Sequence, residues 1–113
     1  MSFSVDTVFV RVTDLDRSVQ WYSTFGIEAG PRYGAWQAMV LEEAASFALH
    51  QGERSEGPST GGTAFRVPNL DVEIARLADA GLHPVDAEIT DTGVARFTTY
   101  RDPDGNDVQL LER

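Results

Sequence analysis

The feature that most limits how this chain can fold is an internal repeat. Arg11-Val12 recurs as Arg66-Val67, 55 positions later. Other residues recur at the same spacing: Leu15-Asp16 as Leu70-Asp71, and Gly26 as Gly81. The repeated stretch reads as a strand that leads into a helix, with a glycine at the end of the helix. A chain that contains one supersecondary unit twice is expected to fold as two modules of the same topology.

Periodicity predicts both elements of this unit. Residues 7–12 alternate, so their three valines share one side of a strand, which we expect to meet the helix. The other side carries Thr7, Phe9 and Arg11, and should line whatever the sheet encloses. Thr13 or Asp14 then caps the helix. Its apolar stripe is predicted to comprise Leu15, Val19, Tyr22 and Phe25.

The residues after Gly26 complete a β-α-β-β-β module. Residues 27–30 predict a short strand that ends at Pro31. Residues 36–41 and 46–50 then predict a hairpin around residues 42–45.

The second module follows the same order. Residues 63–67 predict its first strand, and Asn69 is placed to cap its helix. Residues 82–87 are interpreted as a strand and residues 88–91 as a turn. The buried side of the second helix is predicted to comprise Leu70, Ile74, Leu77 and Ala78.

The final hairpin has the most specific turn in the chain. Residues 95–100 and 107–111 are its two strands. Residues 102–105 read Asp-Pro-Asp-Gly, which places Asp, Pro and Gly at the positions that a type I turn prefers. We interpret this stretch as hairpin geometry without chemistry.

These elements predict one domain of 113 residues built from two modules. Module one spans residues 5–50 and module two spans residues 63–113. Residues 51–62 contain almost no apolar side chain and are interpreted as the linker between them.

Composition narrows the classes of function. A net charge of −9 argues against nucleic acid as a partner, because phosphate binding needs Lys and Arg. The charge is compatible with a cationic ligand, although solubility alone is the simpler explanation of it. The absence of cysteine excludes disulfides, a thiolate zinc site and a thiol nucleophile. Residues 1–6 lack the basic start and apolar run of a signal peptide, and no apolar segment approaches membrane-spanning length. We therefore expect a cytoplasmic protein without a membrane partner.

Two stretches carry a resemblance to a known family. Residues 11–18 read Arg-Val-Thr-Asp-Leu-Asp-Arg-Ser before an aromatic-bearing helix, and residues 101–106 read Arg-Asp-Pro-Asp-Gly-Asn. With the repeat, they resemble the vicinal oxygen chelate superfamily, which includes glyoxalase I, bleomycin resistance proteins, fosfomycin resistance enzymes and extradiol dioxygenases. The resemblance covers nearly the whole chain. It implies an α+β fold of two tandem βαβββ modules, with mixed sheets that form an open barrel-like cleft, helices outside and, in many members, a homodimer.

The resemblance also implies where a metal would be bound. Enzymes of this family place ligands at the start of each module's first strand and on each module's last strand. Here those positions fall on Thr7, Ala48, Gly62 and Gln109. Such residues cannot form a normal divalent site, because hard cations prefer carboxylates and zinc or iron prefers His, Glu or Cys. We therefore expect neither a metal nor another cofactor, and assign no catalytic residue.

Five residues are candidates for contacting a ligand: Thr7, Phe9, Trp36, His50 and Gln109. Phe9 shares the Thr7 side of the first strand. Trp36 begins a strand beside the expected cleft, where an aromatic ring offers a large apolar surface. Packing in the core or at an interface explains Trp36 equally well.

The two polar candidates have different roles. His50 shares a strand face with Ala48, and is interpreted either as a pocket-lining donor or acid–base group, or as a strand-end histidine half in solvent. Alternation with Asp107 and Leu111 places Gln109 on the concave face, opposite Thr7. Its neutral amide can both donate and accept hydrogen bonds to a ligand or water.

Three functions remain open at this point. The first is a metal-independent small-molecule binding protein resembling bleomycin-resistance-type antibiotic sequestration, with an aromatic or cationic ligand. The second is a lyase, isomerase or dioxygenase-like enzyme of the same superfamily that acts without the usual metal, with His50 or a carboxylate as general base. The third is a structural or regulatory dimer without a ligand.

Overall fold

The computed structural model describes residues 7–41, 46–52 and 62–113, with the side chain of Ser46 excepted. Module one contains β1 (Thr7–Val12), α1 (Leu15–Phe25), β2 (Glu28–Tyr33), β3 (Trp36–Val40) and β4 (Ser46–Gln51). Module two contains β5 (Gly62–Arg66), α2 (Leu70–Asp79), β6 (Thr90–Asp91), β7 (Arg96–Arg101) and β8 (Asp107–Glu112). Both modules have the predicted β-α-β-β-β order, which confirms the repeat. The hairpin tip predicted at residues 42–45 lies outside the described residues, as do residues 53–61 of the predicted linker.

Each module forms its own four-stranded mixed sheet. The strand order is β1-β4-β3-β2 in module one and β5-β8-β7-β6 in module two, which is the same order in equivalent elements. In each sheet the first strand pairs in parallel with the last, and the other pairs are antiparallel. This confirms the predicted α+β class with mixed sheets. The chain divides into two compact units, Met1–Glu56 and Gly57–Arg113.

The two helices begin at equivalent capping residues. Asp14 caps α1 and its Oδ1 accepts a hydrogen bond from the Arg17 amide at 3.1 Å. Asn69 caps α2 in the same way, with the Val72 amide as donor at 3.2 Å. Capping satisfies an N–H that the helix cannot satisfy internally, so the polar residue that precedes each apolar stripe determines where the helix begins.

A second contact at each helix start comes from the last strand of the same module. The Leu15 amide donates to Gln51 Oε1 at 3.0 Å, and the Leu70 amide donates to Glu112 Oε2 at 2.7 Å. These bonds tie the first turn of each helix to the helix-facing side of its sheet.

The core of module one lies between α1 and the helix-facing side of its sheet. Tyr22 and Leu49 are fully buried there, and the Tyr22 and Phe47 rings lie 5.7 Å apart between centroids. The predicted helix stripe is correct at Leu15, Tyr22 and Phe25, whereas Val19 is only half-buried and Ser18 is buried instead. Residues 15, 18, 22 and 25 follow the spacing of a narrow helical stripe, and residue 19 falls beside it.

Two other burial predictions are wrong in detail. Val8 is 45% exposed although Val10 and Val12 on the same side of β1 are buried, because β1 is an edge strand and Val8 lies toward its start. In α2, Leu70 and Leu77 are fully buried, Ile74 is half-buried and Ala78 is exposed.

The strand predicted at residues 27–30 does not end at Pro31 but continues to Tyr33. β2 lies at the edge of its sheet, where the missing N–H of proline breaks no ladder bond. The pairing register shifts between Ala29 and Arg32. At this irregularity the buried Gln37 side chain donates to the Gly30 carbonyl at 2.7 Å, which satisfies a backbone group near the shift.

The strand predicted at residues 82–87 is wrong. Only Thr90–Asp91, within the predicted turn, pairs with β7 as β6. The Val85 amide does donate to the Thr99 carbonyl at 2.8 Å, so this segment runs alongside β7 without forming a regular strand. Pro84 has no N–H to offer to a ladder, which opposes regular pairing here.

The turn predicted at residues 102–105 is confirmed. The Gly105 amide donates to the Asp102 carbonyl at 2.9 Å, which closes the turn. The buried Asp102 carboxylate accepts bonds from the Asp104 and Asn106 amides at 3.0 and 2.9 Å, and from Asn106 Nδ2 at 2.9 Å. One side chain thus organises the whole connection between β7 and β8.

Candidate functional site

The candidate site lies on the face of the module-one sheet that points away from α1, which we call the open face. On β4, Phe47 contacts the Tyr22 ring of the helix, and Gln51 accepts from the start of the helix. Because successive side chains on a strand point to opposite faces, Ala48 and His50 lie on the open face.

Strand pairing arranges the open face in cross-strand rows. The first row runs across all four strands and comprises Arg11, His50, Trp36 and Tyr33. The second row comprises Phe9, Ala48 and Ala38. At the two alanine positions only a methyl group projects from the sheet, whereas larger side chains project from the neighbouring positions of the first row.

Phe9, Trp36 and His50 form a contact group that we call the aromatic cluster. The Trp36 and His50 rings are stacked, with centroids 4.1 Å apart and planes inclined by 22°. Phe9 approaches them edge-on, at 5.2 Å from Trp36 and 6.1 Å from His50. Three of the five predicted ligand contacts are therefore neighbours in one module.

The aromatic cluster is exposed to solvent. Phe9 is 48% and Trp36 39% exposed, and Tyr33 at the end of the first row is 67% exposed. Trp36 is therefore not a core residue. Large apolar side chains clustered on a surface are typical of a binding site, whereas single exposed ones are ordinary.

His50 is half-buried within this cluster. Its Nδ1 atom is buried and has no hydrogen-bond partner in the described part of the chain. Its cross-strand neighbours on the open face are Arg11 and Trp36. A ring nitrogen in this position can donate or accept a hydrogen bond according to its protonation.

Arg11 and Tyr33 belong to the first row but were not among the predicted site residues. Alternation along β1 places Arg11 on the Phe9 side. Tyr33 becomes a neighbour of Trp36 through the tight turn at Gly34, whose φ is +58°. Sequence analysis did not select Tyr33, because the strand predicted at residues 27–30 ended before it.

The other two predicted contacts are not members of the aromatic cluster. Thr7 is half-buried at the start of β1, two residues before Phe9 on the same face. Gln109 belongs to module two, where it is half-buried and its Nε2 donates to Thr99 Oγ1 at 3.3 Å. Alternation places Gln109 on the face of its own sheet that points away from α2.

The corresponding face of the module-two sheet has a different composition. The row equivalent to the first row comprises Arg66, Leu111, Phe97 and Thr90. The row equivalent to the second row comprises Ala64, Gln109 and Thr99. Ala64 pairs with Gln109 as Phe9 pairs with Ala48, so Gln109 and Ala48 are equivalent positions of the repeat.

The residues at the four positions where the family resemblance implies metal ligands do not fit a divalent metal. Thr7 offers a hydroxyl and Gln109 an amide, while Ala48 and Gly62 offer no side-chain ligand. A Cβ atom at Gly62 would lie 2.6 Å from the Asp107 carbonyl oxygen, so the backbone leaves no room for a side chain there. Among residues 7–41, 46–52 and 62–113, no three His, Cys, Asp or Glu side chains are grouped so as to hold a metal ion.

Two groups of module two have shifted pKa values. Burial raises the pKa of the Tyr100 hydroxyl. The hydrogen bonds and charge of Asp71 raise the pKa of Arg96, which also contacts Glu112. Both groups belong to the helix-facing side and the start of α2, so they serve the fold of module two.

No helix in the described ranges is long and apolar enough to cross a membrane.

Several solved structures share this fold over nearly the full chain. TnmS3, an antibiotic binding protein from Streptomyces sp. CB03234, is 25% identical, with a TM-score of 0.80 and coverage of 99% of this chain and 98% of that one. A glyoxalase/bleomycin resistance protein from Catenulispora acidiphila DSM 44928 is also 25% identical, with a TM-score of 0.75 and coverage of 97% and 99%. Oxidase ChaP-H2 is 23% identical, with a TM-score of 0.78 and coverage of 100% and 95%.

No curated protein matches the sequence. The family model that matches residues 4–110 describes the Glyoxalase/Bleomycin resistance protein/Dioxygenase superfamily. The match covers almost the whole chain, and it agrees with the two βαβββ modules described above. The chain belongs to the Glyoxalase/Bleomycin resistance protein/Dioxygenase superfamily.

Proposed function

We propose that this protein is a metal-independent small-molecule binding protein that sequesters a planar aromatic compound on the open face of module one. The observation that carries this proposal is the aromatic cluster of Phe9, Trp36 and His50, with two rings stacked at 4.1 Å and the third edge-on. The proposal also draws on the similarity to TnmS3, which is described as an antibiotic binding protein.

The cluster is suited to a planar ligand because its exposed ring surface is already ordered. Aromatic pairs contribute about 0.5–1.5 kcal/mol beyond the burial of their area. A ligand ring placed against the exposed surfaces of Phe9 and Trp36 would contact both without displacing a core residue. Aromatic side chains lose little conformational freedom on binding, so most of the contact energy is retained as affinity.

The experiment is a thermal-shift and calorimetric titration with bleomycin and with the neutral planar probe 2-naphthalenemethanol. A ligand that binds only the folded state raises the melting temperature. We expect such a shift with at least one probe. We also expect Trp36→Ala and Phe9→Ala to weaken its binding at least about tenfold, since each removes a ring worth more than about 1.4 kcal/mol.

The matched control is Phe97→Ala, which removes an aromatic side chain from the corresponding row of module two. It should leave the affinity unchanged once circular dichroism shows that each variant is folded. The proposal fails if neither probe raises the melting temperature, or if Trp36→Ala binds as tightly as the unaltered protein.

A homodimer is proposed as the assembly. Each sheet has two edge strands of its own, β1 and β2 in one module and β5 and β6 in the other. Unpaired strand edges are normally covered or protected, and pairing between chains is one way to do so. A monomeric mass by light scattering at micromolar concentration would contradict this.

An enzyme that acts without the usual metal is the second candidate. The observation in its favour is the His50 Nδ1 atom, which is buried without a hydrogen-bond partner in the described residues. A general base is normally oriented by an acceptor on its other nitrogen, whereas the open-face neighbours of His50 are a cation and an indole. We therefore rank binding above catalysis. Turnover of a bound probe that His50→Gln abolishes would reverse this order.

A further inference from the structure

We infer that the compound bound by the aromatic cluster is a planar aromatic anion, with its acidic group directed at Arg11. This inference rests on the proposed function and adds the charge of the ligand. The net charge of −9 alone would favour a cation. The local arrangement on the open face points to the opposite sign.

Arg11 lies at the end of the first row, directly beside His50 in the pairing register. Its side chain is exposed. A Cβ atom at Gly52 would lie 3.2 Å from Arg11 Nη1, so the guanidinium extends along the end of β4, where glycine leaves space for it. A cation is thus held at the border of the aromatic cluster.

The acidic residue of the described open face lies at its other end. Glu28 pairs with Val40, at the far end of β3 from Trp36. Four residues of strand separate these two rows, which corresponds to about 13 Å at about 3.3 Å per residue. This exceeds the screening length of about 8–10 Å at 0.1–0.15 M salt. Of these two charged side chains, Arg11 is therefore the one that lies beside the cluster.

Arginine is also the side chain best shaped for such a ligand. Its guanidinium presents five N–H donors in a planar fork, which can bind a carboxylate through two parallel hydrogen bonds. With five donors, the guanidinium can donate hydrogen bonds to a ligand carboxylate in addition to the contacts it makes in the fold.

The test compares three probes with one ring system and different charges: 2-naphthoate, 2-naphthalenemethanol and 2-naphthylmethylammonium. Affinities are measured by calorimetry at about 0.15 M salt, where long-range fields are screened. We expect 2-naphthoate to bind about tenfold more tightly than the alcohol, because a hydrogen bond to a charged partner is worth about 1.5 kcal/mol or more. The ammonium probe should bind no better than the alcohol.

Two matched variants locate the effect. Arg11→Gln should lower the affinity for 2-naphthoate to the level of the alcohol. The affinity for the alcohol itself should be nearly the same in this variant and in the unaltered protein. Arg66→Gln makes the same charge change at the equivalent position of module two. It should preserve the preference for 2-naphthoate. Circular dichroism and melting temperature establish that both variants are folded.

The outcomes separate this inference from the proposed function. If the alcohol binds in a Trp36-dependent way but 2-naphthoate binds no more tightly, the binding function stands and the inference is wrong. Equal losses in Arg11→Gln and Arg66→Gln would also overturn it, because the effect would then come from net charge. If bleomycin binds but none of the three naphthyl probes does, the inference is wrong and the proposed function stands. If neither bleomycin nor any of the three probes binds, both are wrong.

Discussion

The two modules have the same fold but different open faces. Both begin their helices with an Asx cap, and both tie the first helical turn to the last strand. The face turned away from the helix carries His50, Trp36 and Tyr33 in module one, where module two has Leu111, Phe97 and Thr90. The repeat therefore preserves the residues that make the fold and varies those on the open face.

This difference indicates where function is located in the molecule. Caps, the helical stripe and the register are needed by any βαβββ unit, so they recur in both halves. Side chains on the open face are not needed to build the sheet, and can change without loss of the fold. Arg11 and Arg66 are the notable common feature of the two faces, and the proposed ligand uses one of them.

The largest difference expected between equivalent positions concerns Thr7 and Gly62, which begin β1 and β5. A Cβ atom at Gly62 would lie 2.6 Å from the Asp107 carbonyl oxygen, so Gly62→Ala must displace backbone. We expect it to lower the free energy of unfolding by about 2 kcal/mol. Thr7→Ala should cost about 0.5 kcal/mol or less. Urea denaturation of both variants measures this, and equal costs would show that the close approach at Gly62 is relieved easily.

The same contact affects any attempt to rebuild a metal site. Thr7→His, Gly62→His and Gln109→Glu together would restore three ligands of the family type. The histidine at position 62 would have to displace the Asp107 backbone before it could bind zinc. The family resemblance implies a ligand at each of these positions, and the close contact at Gly62 makes the substitution there much more costly than the other two.

Most of the fold was predictable because it depends on local signals. Alternation, the caps at Asp14 and Asn69, and the Asp-Pro-Asp-Gly turn each act within a few residues. The secondary-structure predictions were wrong where the place of a segment in the sheet determines its structure. Pro31 is accepted because β2 is an edge strand, and residues 82–87 run beside β7 with little regular pairing.

The candidate site was predictable only in part for the same reason. Phe9, Trp36 and His50 were each selected from their own strand, but their contact depends on the pairing register. That register also makes Arg11 a neighbour of His50 and Tyr33 a neighbour of Trp36. Register is determined by how the strands pack against one another across the sheet, and it cannot be read from the sequence of one strand alone.

A smaller difference is expected between Gln51 and Glu112, which bind equivalent helix amides with an amide and a carboxylate. Glu112→Gln should lower the free energy of unfolding by about 1 kcal/mol, since a charged acceptor binds an N–H more strongly than a neutral one. Gln51→Glu should raise it by about 0.5 kcal/mol, because a negative charge is favourable at a helix start.

Urea denaturation at low and high salt measures both substitutions of this pair. Salt should reduce both effects, because they depend on charge. If Glu112→Gln has no effect while Gln51→Glu stabilises, the charge of Glu112 does not contribute measurably to the start of α2, and the expected advantage of a carboxylate over an amide there is wrong.

The smallest expected effect is on metal binding by Gln109→Glu. This substitution puts the family's usual ligand type at position 109, whose counterpart in module one is Ala48. One carboxylate cannot hold zinc with four-coordinate geometry, and Thr7, Ala48 and Gly62 add no strong ligand. Calorimetric titration with zinc and nickel should show no stoichiometric binding by this variant or by the unaltered protein. Tight binding by Gln109→Glu alone would mean that other protein groups already converge near residue 109. The open face of module two would then be the better place to look for chemistry, and the contrast drawn between the two faces would be reversed.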